Sequence, residues 1–523
     1  MRTNQWLSVL LLVLIAIALV DQARFLFVYP VPDTGMWFGD ESWTMLALRA
    51  LMRTGVARVP EALGSSLAHS NGFINGSVWI TGILYGVPAL LFSNAATPVA
   101  IGRIVTQVLS IFTLALLFRL IRRMGTSVIA ALLAILVFIC SNVFYFSSHS
   151  ARLDMVTGLA ILIFFYCIFI LFEQSKSRIK NRSVFLFTFF SALSLTIYVH
   201  VPALIVLPLL YSLWYFGVFR NGKQFAFALA GIVMGTAILL AAYWVSVGSL
   251  DMLGSGYNQY YNVANSIPVL HLLSWRVQKI NTMDRAVQVW EVAWPLVLLI
   301  FLGMVTRVLK HDRFEEKERF ILFNAILLFV GWGLFGGPAV FYNIYVMPVM
   351  ALCAAIFIRP IFSHTIISVP AILLIVLTVV IASFAFIQQE RYGNVGTELC
   401  QGNDNAVRSI LASVESSEKS PLILTDEPGE NELSGNRNVR LMTNHFLLFG
   451  EGNKSTEQIL RENHVEYLLL YSCGAWHSPF QQLADSLYTK LDERMGMFND
   501  LGRSYNDPRW ELRDTLRLYR PKP

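Results

Sequence analysis

Apolar runs of about 20 residues recur between residues 6 and 387, and they constrain the fold more than any other feature of the chain. A helix needs about 20 apolar residues to cross a bilayer core of about 30 Å. Hydrophobic residues make up 55% of the 523-residue chain and charged residues only 14%, whereas soluble globular proteins are roughly 45–50% apolar. The sequence therefore predicts an α-helical polytopic membrane protein.

The length of these runs predicts about eleven membrane-spanning helices. The first run is too long for the apolar region of a signal peptide and lacks a convincing cleavage site, so we expect it to remain as an anchor. The predicted spans are 6–28, 98–120, 126–144, 153–172, 183–200, 202–218, 224–247, 292–309, 319–337, 340–358 and 365–387.

A further apolar segment, 78–93, is short and interrupted by two glycines and a proline. Counting it as a crossing would put the basic clusters at 119–123 and 176–182 on opposite sides of the membrane, against the positive-inside bias. We therefore predict that this segment is juxtamembrane or re-entrant.

The net charge of +6 is spread over short loops, which indicates topology rather than binding of nucleic acid. Placing the Lys/Arg-rich loops in the cytoplasm predicts a multi-pass protein of the inner or plasma membrane with a cytoplasmic N-terminus. The predicted extracytoplasmic stretches are 29–97, 145–152, 248–291 and everything after about residue 388.

The tail, 391–523, differs in character from the membrane domain predicted for 1–390. The stretches "PLILTD", "STEQILRENH", "EYLLLYS", "QQLADSLYTKLDERM" and "WELRDTLRLY" suggest alternating strands and helices, which predicts a small extracytoplasmic α/β domain. Cys400 and Cys473 both belong to it. A disulfide and two free thiols are both open, since the sequence fixes no distance between them.

Two adjacent carboxylates, Asp40 and Glu41, follow the first span in "MWFGDESWTMLALRALMR". Residues 41–53 are predicted to form an amphipathic helix at the membrane interface. One interpretation is structural, since acidic residues favour the first turn of a helix. The other is catalytic, because a carboxylate at the bilayer surface can accept a proton from a hydroxyl group.

A third acid, Asp154, follows "FSSHSAR" and precedes a long apolar helix. Helix capping is again one explanation. The same loop carries His149 and Arg152, which could pair with Asp154 or bind a phosphate. The third external loop carries Arg276 and Lys279, which either meet a lipid phosphate or lie on a solvated interfacial helix.

Three stretches resemble GT-C-type integral-membrane glycosyltransferases, in particular the bacterial lipid A aminoarabinose transferase and protein O-mannosyltransferase families. They are "GDESWTMLALRALMRTGVARVP", "SARLDMVTGLAIL" and "FYNIYVMPVMALCAA". The resemblance implies a polyprenyl-phosphate-linked sugar as donor and a hexosyl or pentosyl transfer to a lipid, polysaccharide or protein acceptor outside the cytoplasm. It assigns Asp40 as general base, Glu41 as its neighbour in the pocket and Asp154 as a second functional acid.

The chain departs from the aminoarabinose transferases late in the first external loop. Those enzymes carry a lysine there that is associated with the donor phosphate, whereas this chain reads "HSNGFINGSVW". Phosphate binding then falls to other residues, or the donor differs. The candidates for binding the donor are Arg58, His69, His149, Arg152, Arg276, Lys279 and, from the third resembling stretch, Tyr345.

Cofactors and rival functions stay open at this point. Asp40, Glu41 and Asp154 could hold a divalent cation, because hard cations prefer carboxylate oxygens. A transporter or lipid flippase would place charged residues near the bilayer midplane and commonly show repeated halves, whereas these acids gather at one face. A non-catalytic assembly or sensor protein would depend on its outer α/β domain more than on Asp40.

Overall fold

The computed structural model describes most of the apolar helices and part of the tail. The described residues are 2–27, 82–92, 98–148, 154–175, 179–194, 201–247, 282–335, 340–363, 421–425, 440–443, 456–462, 464–471, 484–497 and 513–522. The predicted span 365–387 and both tail cysteines lie outside them.

Most of the described chain up to residue 363 is helical, and helices occupy most of the described part of each predicted span from 6–28 to 340–358. The helices are α1 Arg2–Phe27, α2 Val87–Phe92, α3 Pro98–Arg123, α4 Val128–Ile139, α5 Asn142–Ser148, α6 Asp154–Ser175, α7 Asn181–Ser194, α8 Val201–Tyr215, α9 Gly222–Val247, α10 Thr282–Lys310, α11 Glu316–Phe335 and α12 Met347–Ile358. A π-helical turn precedes α2 at Gly82–Gly86, and 3₁₀ turns lie at Val218–Arg220, Val340–Tyr345 and Arg359–Ser363.

Four helices in the described part of the chain are long and apolar enough to cross a membrane, judged by length and composition. They are Ile101–Arg123, Asp154–Ser175, Gly222–Ala241 and Ala293–Lys310. The predicted class, an α-helical multi-pass membrane protein, is confirmed. The count of eleven spans and the re-entrant path of 78–93 stay predictions.

The chain divides into two compact units, which are described separately. The helical unit comprises Met1–Arg24, Arg103–Ala242 and Ala264–Ile387, and the mixed unit comprises Phe25–Gly102, Tyr243–Val263 and Gln388–Pro523. The domain boundary predicted between residues 390 and 391 stays a prediction.

The core of the helical unit is built around α4 and α12. Every residue of α4 after Val128 is buried, and so is every residue of α12 except Phe357. α12 packs against α4, α6 and α10. Gly303 of α10 permits one of these contacts, since a Cβ there would lie 2.4 Å from the carbonyl carbon of Phe357. Close packing of this kind is the main force that associates helices in lipid.

The predicted span 126–144 consists of two helices rather than one. α4 ends at Ile139, and α5 begins at Asn142. Ser141 marks the break, because its Oγ accepts a hydrogen bond from the backbone N–H of Phe144 at 3.3 Å. A serine cap of this kind starts a new helix inside an apolar run, and hydropathy alone does not show it.

Five strands of the tail form one mixed sheet in the order β2-β1-β3-β5-β4. They are β1 Leu422–Thr425, β2 Arg440–Thr443, β3 Tyr467–Tyr471, β4 Tyr488–Met497 and β5 Arg513–Pro521, and helix α13 Thr456–Glu462 lies between β2 and β3 along the chain. β1 runs parallel to β2 and β3, whereas β5 is antiparallel to β3 and β4. The residues 422–424 and 468–470 form continuous buried runs, as is typical of strands buried on both faces. The predicted small α/β domain is confirmed, and its extracytoplasmic location stays a prediction.

One predicted element of the tail is wrong. The alternation of strands and helices placed a helix over "QQLADSLYTKLDERM". Of the residues of this stretch that the structure describes, 484–487 form a helical turn and those from Tyr488 onward belong to β4. β4 pairs with β5 along its whole length, with a register shift between Lys490 and Asp492. Pairing with a neighbouring strand decides the structure of such a segment more than its own propensity does.

Candidate functional site

Two predicted site residues, Asp154 and Tyr345, meet inside the helical unit. The Tyr345 hydroxyl donates a hydrogen bond to Asp154 Oδ1 at 2.6 Å, across 191 positions of sequence. Both side chains are buried, with exposed fractions of 3% and 0%. The distance is that of a hydrogen bond between a hydroxyl and a carboxylate. A buried acid and a phenol therefore form one polar pair among apolar helices.

Asp154 is the first residue of α6, and most of the residues that follow it are apolar. The first turn of a helix leaves backbone N–H groups free and carries the positive end of the helix dipole, so it stabilises a carboxylate. Burying a carboxylate without partners is costly. The helix start and the bond from Tyr345 both stabilise this acid, and neither excludes a chemical role.

Tyr345 is the last residue of the 3₁₀ turn Val340–Tyr345, which packs against α5 and α6. Gly158, one helical turn after Asp154, allows the turn to come close. A Cβ on Gly158 would lie 3.0 Å from the carbonyl oxygen of Ile344. The absence of a side chain at this one position therefore sets the distance between the turn and α6.

Two residues that the sequence analysis missed complete this cluster. The indole Nε1 of Trp332, in α11, donates to Asn343 Oδ1 at 3.2 Å. The Trp332 ring also meets Tyr345 edge to face, with ring centroids 5.7 Å apart and an interplanar angle of 74°. We call Asp154, Trp332, Asn343 and Tyr345 the Asp154 cluster. Nothing local in the sequence identifies Trp332, since tryptophan in an apolar helix is common at membrane interfaces.

A second set of buried polar residues was also missed, on α3. Helical spacing puts them on one face of the helix, and polar residues three and four positions apart in an apolar run are the signal that identifies them. They are Arg103, Thr106, Gln107, Ser110 and Thr113. The last of them reaches the start of α6, where its hydroxyl lies 3.8 Å from the sulfur of Met155.

The other predicted site residues lie outside the described residues, so their roles stay predictions. They are Asp40, Glu41, Arg58, His69, His149, Arg152, Arg276 and Lys279.

The described residues include one of the three predicted cation ligands, Asp154. Among the described residues, no group of three or more His, Cys, Asp or Glu side chains is placed to hold a metal ion. Two of the three predicted ligands, Asp40 and Glu41, lie outside the described part of the chain. The predicted divalent-cation site therefore stays a prediction.

The Asp154 cluster is suited to a polar, oxygen-rich ligand. A carboxylate accepts hydrogen bonds at two oxygens, and a phenol donates one bond while accepting others. A ligand oxygen that accepts the hydrogen bond of the Tyr345 hydroxyl would replace Asp154 as the partner of Tyr345. The pair can therefore exchange partners without breaking a helix.

A second polar cluster lies where α10, α11 and α12 meet. Arg307 Nη2 bonds to Glu318 Oε1 at 3.1 Å, and Arg307 Nη1 bonds to Asp312 Oδ2 at 3.0 Å. Arg359 Nη1 donates to the same Glu318 oxygen at 3.0 Å. Arg307 and Glu318 are only 4% and 1% exposed. We call Arg307, Asp312, Glu315, Glu318 and Arg359 the Arg307 cluster.

Backbone groups complete the Arg307 cluster. Glu318 Oε2 accepts a hydrogen bond from the Glu315 N–H at 2.9 Å, as the acidic residue of a capping box does. Arg307 Nη2 also donates to the carbonyl oxygen of Ile356 at 2.7 Å. The hydrogen bond from Arg359 lowers the pKa of the Glu315 carboxyl group below its usual value. The cluster therefore joins the ends of three helices.

The architecture can be compared with those of known proteins. It consists of apolar helices around a buried core, followed along the chain by a small mixed sheet. The fold of this chain is similar to the folds of ArnT and AglB, two glycosyltransferases of the GT-C type, so the resemblance predicted from the sequence is confirmed at the level of the fold. No family model and no curated protein matches the chain by sequence.

Two solved proteins illustrate the likeness. ArnT from Cupriavidus metallidurans, a lipid A aminoarabinose transferase, is similar in its structure bound to undecaprenyl phosphate, with a TM-score of 0.58, 11% identity and 97% coverage of each chain. Its apo structure gives a TM-score of 0.55 at 12% identity, over 99% of this chain and 98% of ArnT. The archaeal oligosaccharyltransferase AglB from Archaeoglobus fulgidus, in complex with an inhibitory peptide and a dolichol-phosphate, gives 0.51 at 12% identity, over 95% of this chain and 75% of AglB.

Proposed function

We propose that this protein is a glycosyltransferase that moves a hexosyl or pentosyl group from a polyprenyl-phosphate-linked donor to an acceptor. The observation that carries the proposal is the likeness of fold to ArnT, which extends over 97% of both chains and so includes the membrane helices and the tail. One ArnT structure is bound to undecaprenyl phosphate and one AglB structure to a dolichol-phosphate. The acceptor is a lipid, a polysaccharide or a protein.

The transfer inverts the anomeric carbon and takes place at the extracytoplasmic surface. Asp40 accepts the proton of the acceptor hydroxyl while the acceptor oxygen bonds to the anomeric carbon. The bond from that carbon to the phosphate oxygen breaks, and polyprenyl phosphate leaves with the electron pair. A phosphate leaving group carries its own charge, so one base and cationic stabilisation suffice. The pair of carboxylates that glycoside hydrolases use is not required.

Asp154 acts as the second functional acid, and Tyr345 contacts the donor phosphate. The burial of both side chains supports these roles, because ionisable residues buried in membrane proteins are rare and commonly functional. Their direct hydrogen bond keeps the phenol oriented. In the donor complex, the Tyr345 hydroxyl would donate its hydrogen bond to a phosphate oxygen instead of to Asp154.

A divalent cation held by Asp40, Glu41 and Asp154 would stabilise charge on the departing phosphate. One AglB structure is a complex with Zn and sulfate, and carboxylate oxygens suit hard cations. Treating the purified protein with EDTA should then abolish transfer, and added Mg²⁺ or Mn²⁺ should restore it. Full transfer after chelation would remove the ion from the mechanism.

The N-terminus lies in the cytoplasm and the tail on the opposite side. The basic residues in the last turns of α3 and α10 support this orientation, since cytoplasmic helix ends carry an excess of Lys and Arg. These residues are Arg122, Arg123, Arg307 and Lys310. Asp154 then belongs to the extracytoplasmic side of the membrane and the Arg307 cluster to the cytoplasmic side.

The experiment that tests the proposal incubates purified protein in proteoliposomes with radiolabelled polyprenyl-phosphate sugars and membrane extract. Formation of labelled acceptor supports the enzyme, whereas movement of the donor across the bilayer without transfer would establish a transporter instead. Asp40→Asn should lose transfer while remaining folded. The control is Glu173→Gln, which changes a half-exposed acid at the opposite end of α6 and should leave transfer unchanged.

A further inference from the structure

Trp332 and Asn343 connect the C-terminal part of α11 to the turn that carries Tyr345. The indole N–H of Trp332 donates to the side-chain oxygen of Asn343 at 3.2 Å. Each residue is only 6% exposed. A hydrogen bond between two side chains contributes roughly 0.5–1.5 kcal/mol. The residue two positions before Tyr345 is therefore fixed to α11.

Trp332 also restrains the Tyr345 side chain directly. The two rings meet edge to face at 5.7 Å, an arrangement that aromatic pairs favour. At its other end, the phenol hydroxyl bonds to Asp154. Trp332 thus contacts the ring, while Asp154 contacts the hydroxyl.

We infer that Trp332 and Asn343 are positioning residues for the donor phosphate. They hold the Tyr345 hydroxyl in the orientation in which a phosphate oxygen can take the place of Asp154 as its acceptor. The inference rests on the proposed function, because it takes Tyr345 as the contact to the donor phosphate. Trp332 and Asn343 act through Tyr345, and neither needs to touch the donor.

The probe for the experiment is undecaprenyl phosphate, whose binding to the purified full-length protein in nanodiscs is measured apart from sugar transfer. Trp332→Phe keeps an aromatic ring but removes the N–H, so we expect the dissociation constant to rise roughly five-fold, the effect of one ordinary hydrogen bond. The KM for the donor should rise similarly with little change in kcat, as when binding is lost equally from the ground and transition states. Asn343→Leu removes the acceptor and should give the same result.

The decisive comparison uses the background Tyr345→Phe. If Trp332 acts through the Tyr345 hydroxyl, adding Trp332→Phe to Tyr345→Phe should weaken binding no further. An equal loss of affinity in both backgrounds would overturn the inference. So would unchanged affinity in the single variant Trp332→Phe, whatever happens to its unfolding temperature.

Trp214 provides a matched control. Its ring lies 6.0 Å from that of Tyr211, much as Trp332 lies beside Tyr345, but Trp214 is 60% exposed. Trp214→Phe should leave both affinity and KM unchanged, and an effect as large as that of Trp332→Phe would contradict the inference.

Failure of the inference can be distinguished from failure of the proposed function. A wild-type protein that binds undecaprenyl phosphate but transfers no sugar overturns the proposed enzyme, and the binding comparison then decides the inference by itself. A wild-type protein that does not bind undecaprenyl phosphate overturns both.

Discussion

The two polar clusters of the helical unit lie toward opposite ends of α11 and use its residues differently. Glu318 of the Arg307 cluster and Trp332 of the Asp154 cluster are fourteen positions apart, about 21 Å along a helix. In the Arg307 cluster, the bonds between side chains join cations to carboxylates. In the Asp154 cluster, the described bonds come from a phenol and an indole, which are neutral donors.

This difference in bonding suits the Arg307 cluster to holding helices together and the Asp154 cluster to binding a ligand. A buried cation between carboxylates cannot give up either partner without a large electrostatic cost. A carboxylate that is bonded to a neutral phenol can exchange that partner for another at about the cost of one hydrogen bond. We therefore expect changes in the Arg307 cluster to alter folding, and changes in the Asp154 cluster to alter activity.

The largest effect is expected from Glu318→Ala, which removes the carboxylate shared by two arginines. It removes the buried partner of Arg307, which is 4% exposed, and leaves the half-exposed Asp312 as its described carboxylate partner. Breaking a buried ion pair from one side costs about 3–5 kcal/mol. We expect a large drop in the thermal unfolding midpoint and loss of monodisperse protein on size exclusion.

Glu316→Ala is the control for that change, because Glu316 is an exposed acid in the same first turn of α11. It accepts a hydrogen bond from the Tyr215 hydroxyl at 3.0 Å, so its loss should cost about 1 kcal/mol, the value of one ordinary hydrogen bond. Equal effects of the two substitutions would contradict the view that burial gives the Arg307 cluster its stabilising role.

The next largest effect is expected from Asp154→Asn, and it should fall on transfer. Positioned acids and bases contribute about 10²-fold or more to rate, so the transfer rate should fall by at least that factor. The amide oxygen of asparagine can still accept the Tyr345 hydrogen bond, so the unfolding midpoint should change little. A variant that unfolds readily but transfers at the wild-type rate would make Asp154 a structural residue like Glu318.

Two glycines provide a further test of the difference between the clusters, because each allows two backbone segments to pack closely beside one of them. In Gly303→Ala the new Cβ would lie 2.4 Å from a backbone carbon of Phe357, so α10 and α12 must separate, at about 1–3 kcal/mol for overpacking. In Gly158→Ala the Cβ would lie 3.0 Å from the carbonyl oxygen of Ile344, which a shift of a few tenths of an ångström relieves.

The two alanine variants should therefore differ in what they change. Gly303→Ala should lower the unfolding midpoint, while Gly158→Ala should mainly lower donor affinity by moving the turn that carries Tyr345. Measuring both quantities for both variants checks the comparison, and it fails if Gly158→Ala destabilises the protein more than Gly303→Ala does.

The sequence predicted the helices well because the length and apolarity of a span are local properties. It could not predict where an apolar run breaks. The predicted span 340–358 is a 3₁₀ turn followed by α12, and the side-chain bond at Ser141 divides another span. The break at Ser141 depends on one side chain, whose effect hydropathy averages out.

The candidate site could be predicted only in part, for a different reason. Asp154 was identified by its position before an apolar helix, and Tyr345 by a resemblance, but their contact joins residues 191 positions apart. Trp332 and Asn343 were missed because their chemistry is visible only once α11 meets the turn. The strand β4 was misassigned because its partner β5 follows it in the chain and decides its conformation.

The smallest expected effect is that of pH on the stability contributed by the Arg307 cluster. The hydrogen bond from Arg359 lowers the pKa of Glu315 from 4.5. A lowered carboxyl pKa contributes stability that is fully present above the unfolded value and is lost as pH falls through the lower, folded value. Glu315 is 42% exposed, so solvent screening keeps this contribution small.

Unfolding midpoints of the wild type and Glu315→Gln should therefore differ slightly at pH 7 and converge as the pH falls below 4.5. A difference between wild type and Glu315→Gln that grows on acidification would show that Glu315 does not stabilise the cluster as a carboxylate. The paired charges of the Arg307 cluster would then have to be re-examined one by one, beginning with Asp312, the most exposed carboxylate bonded to Arg307.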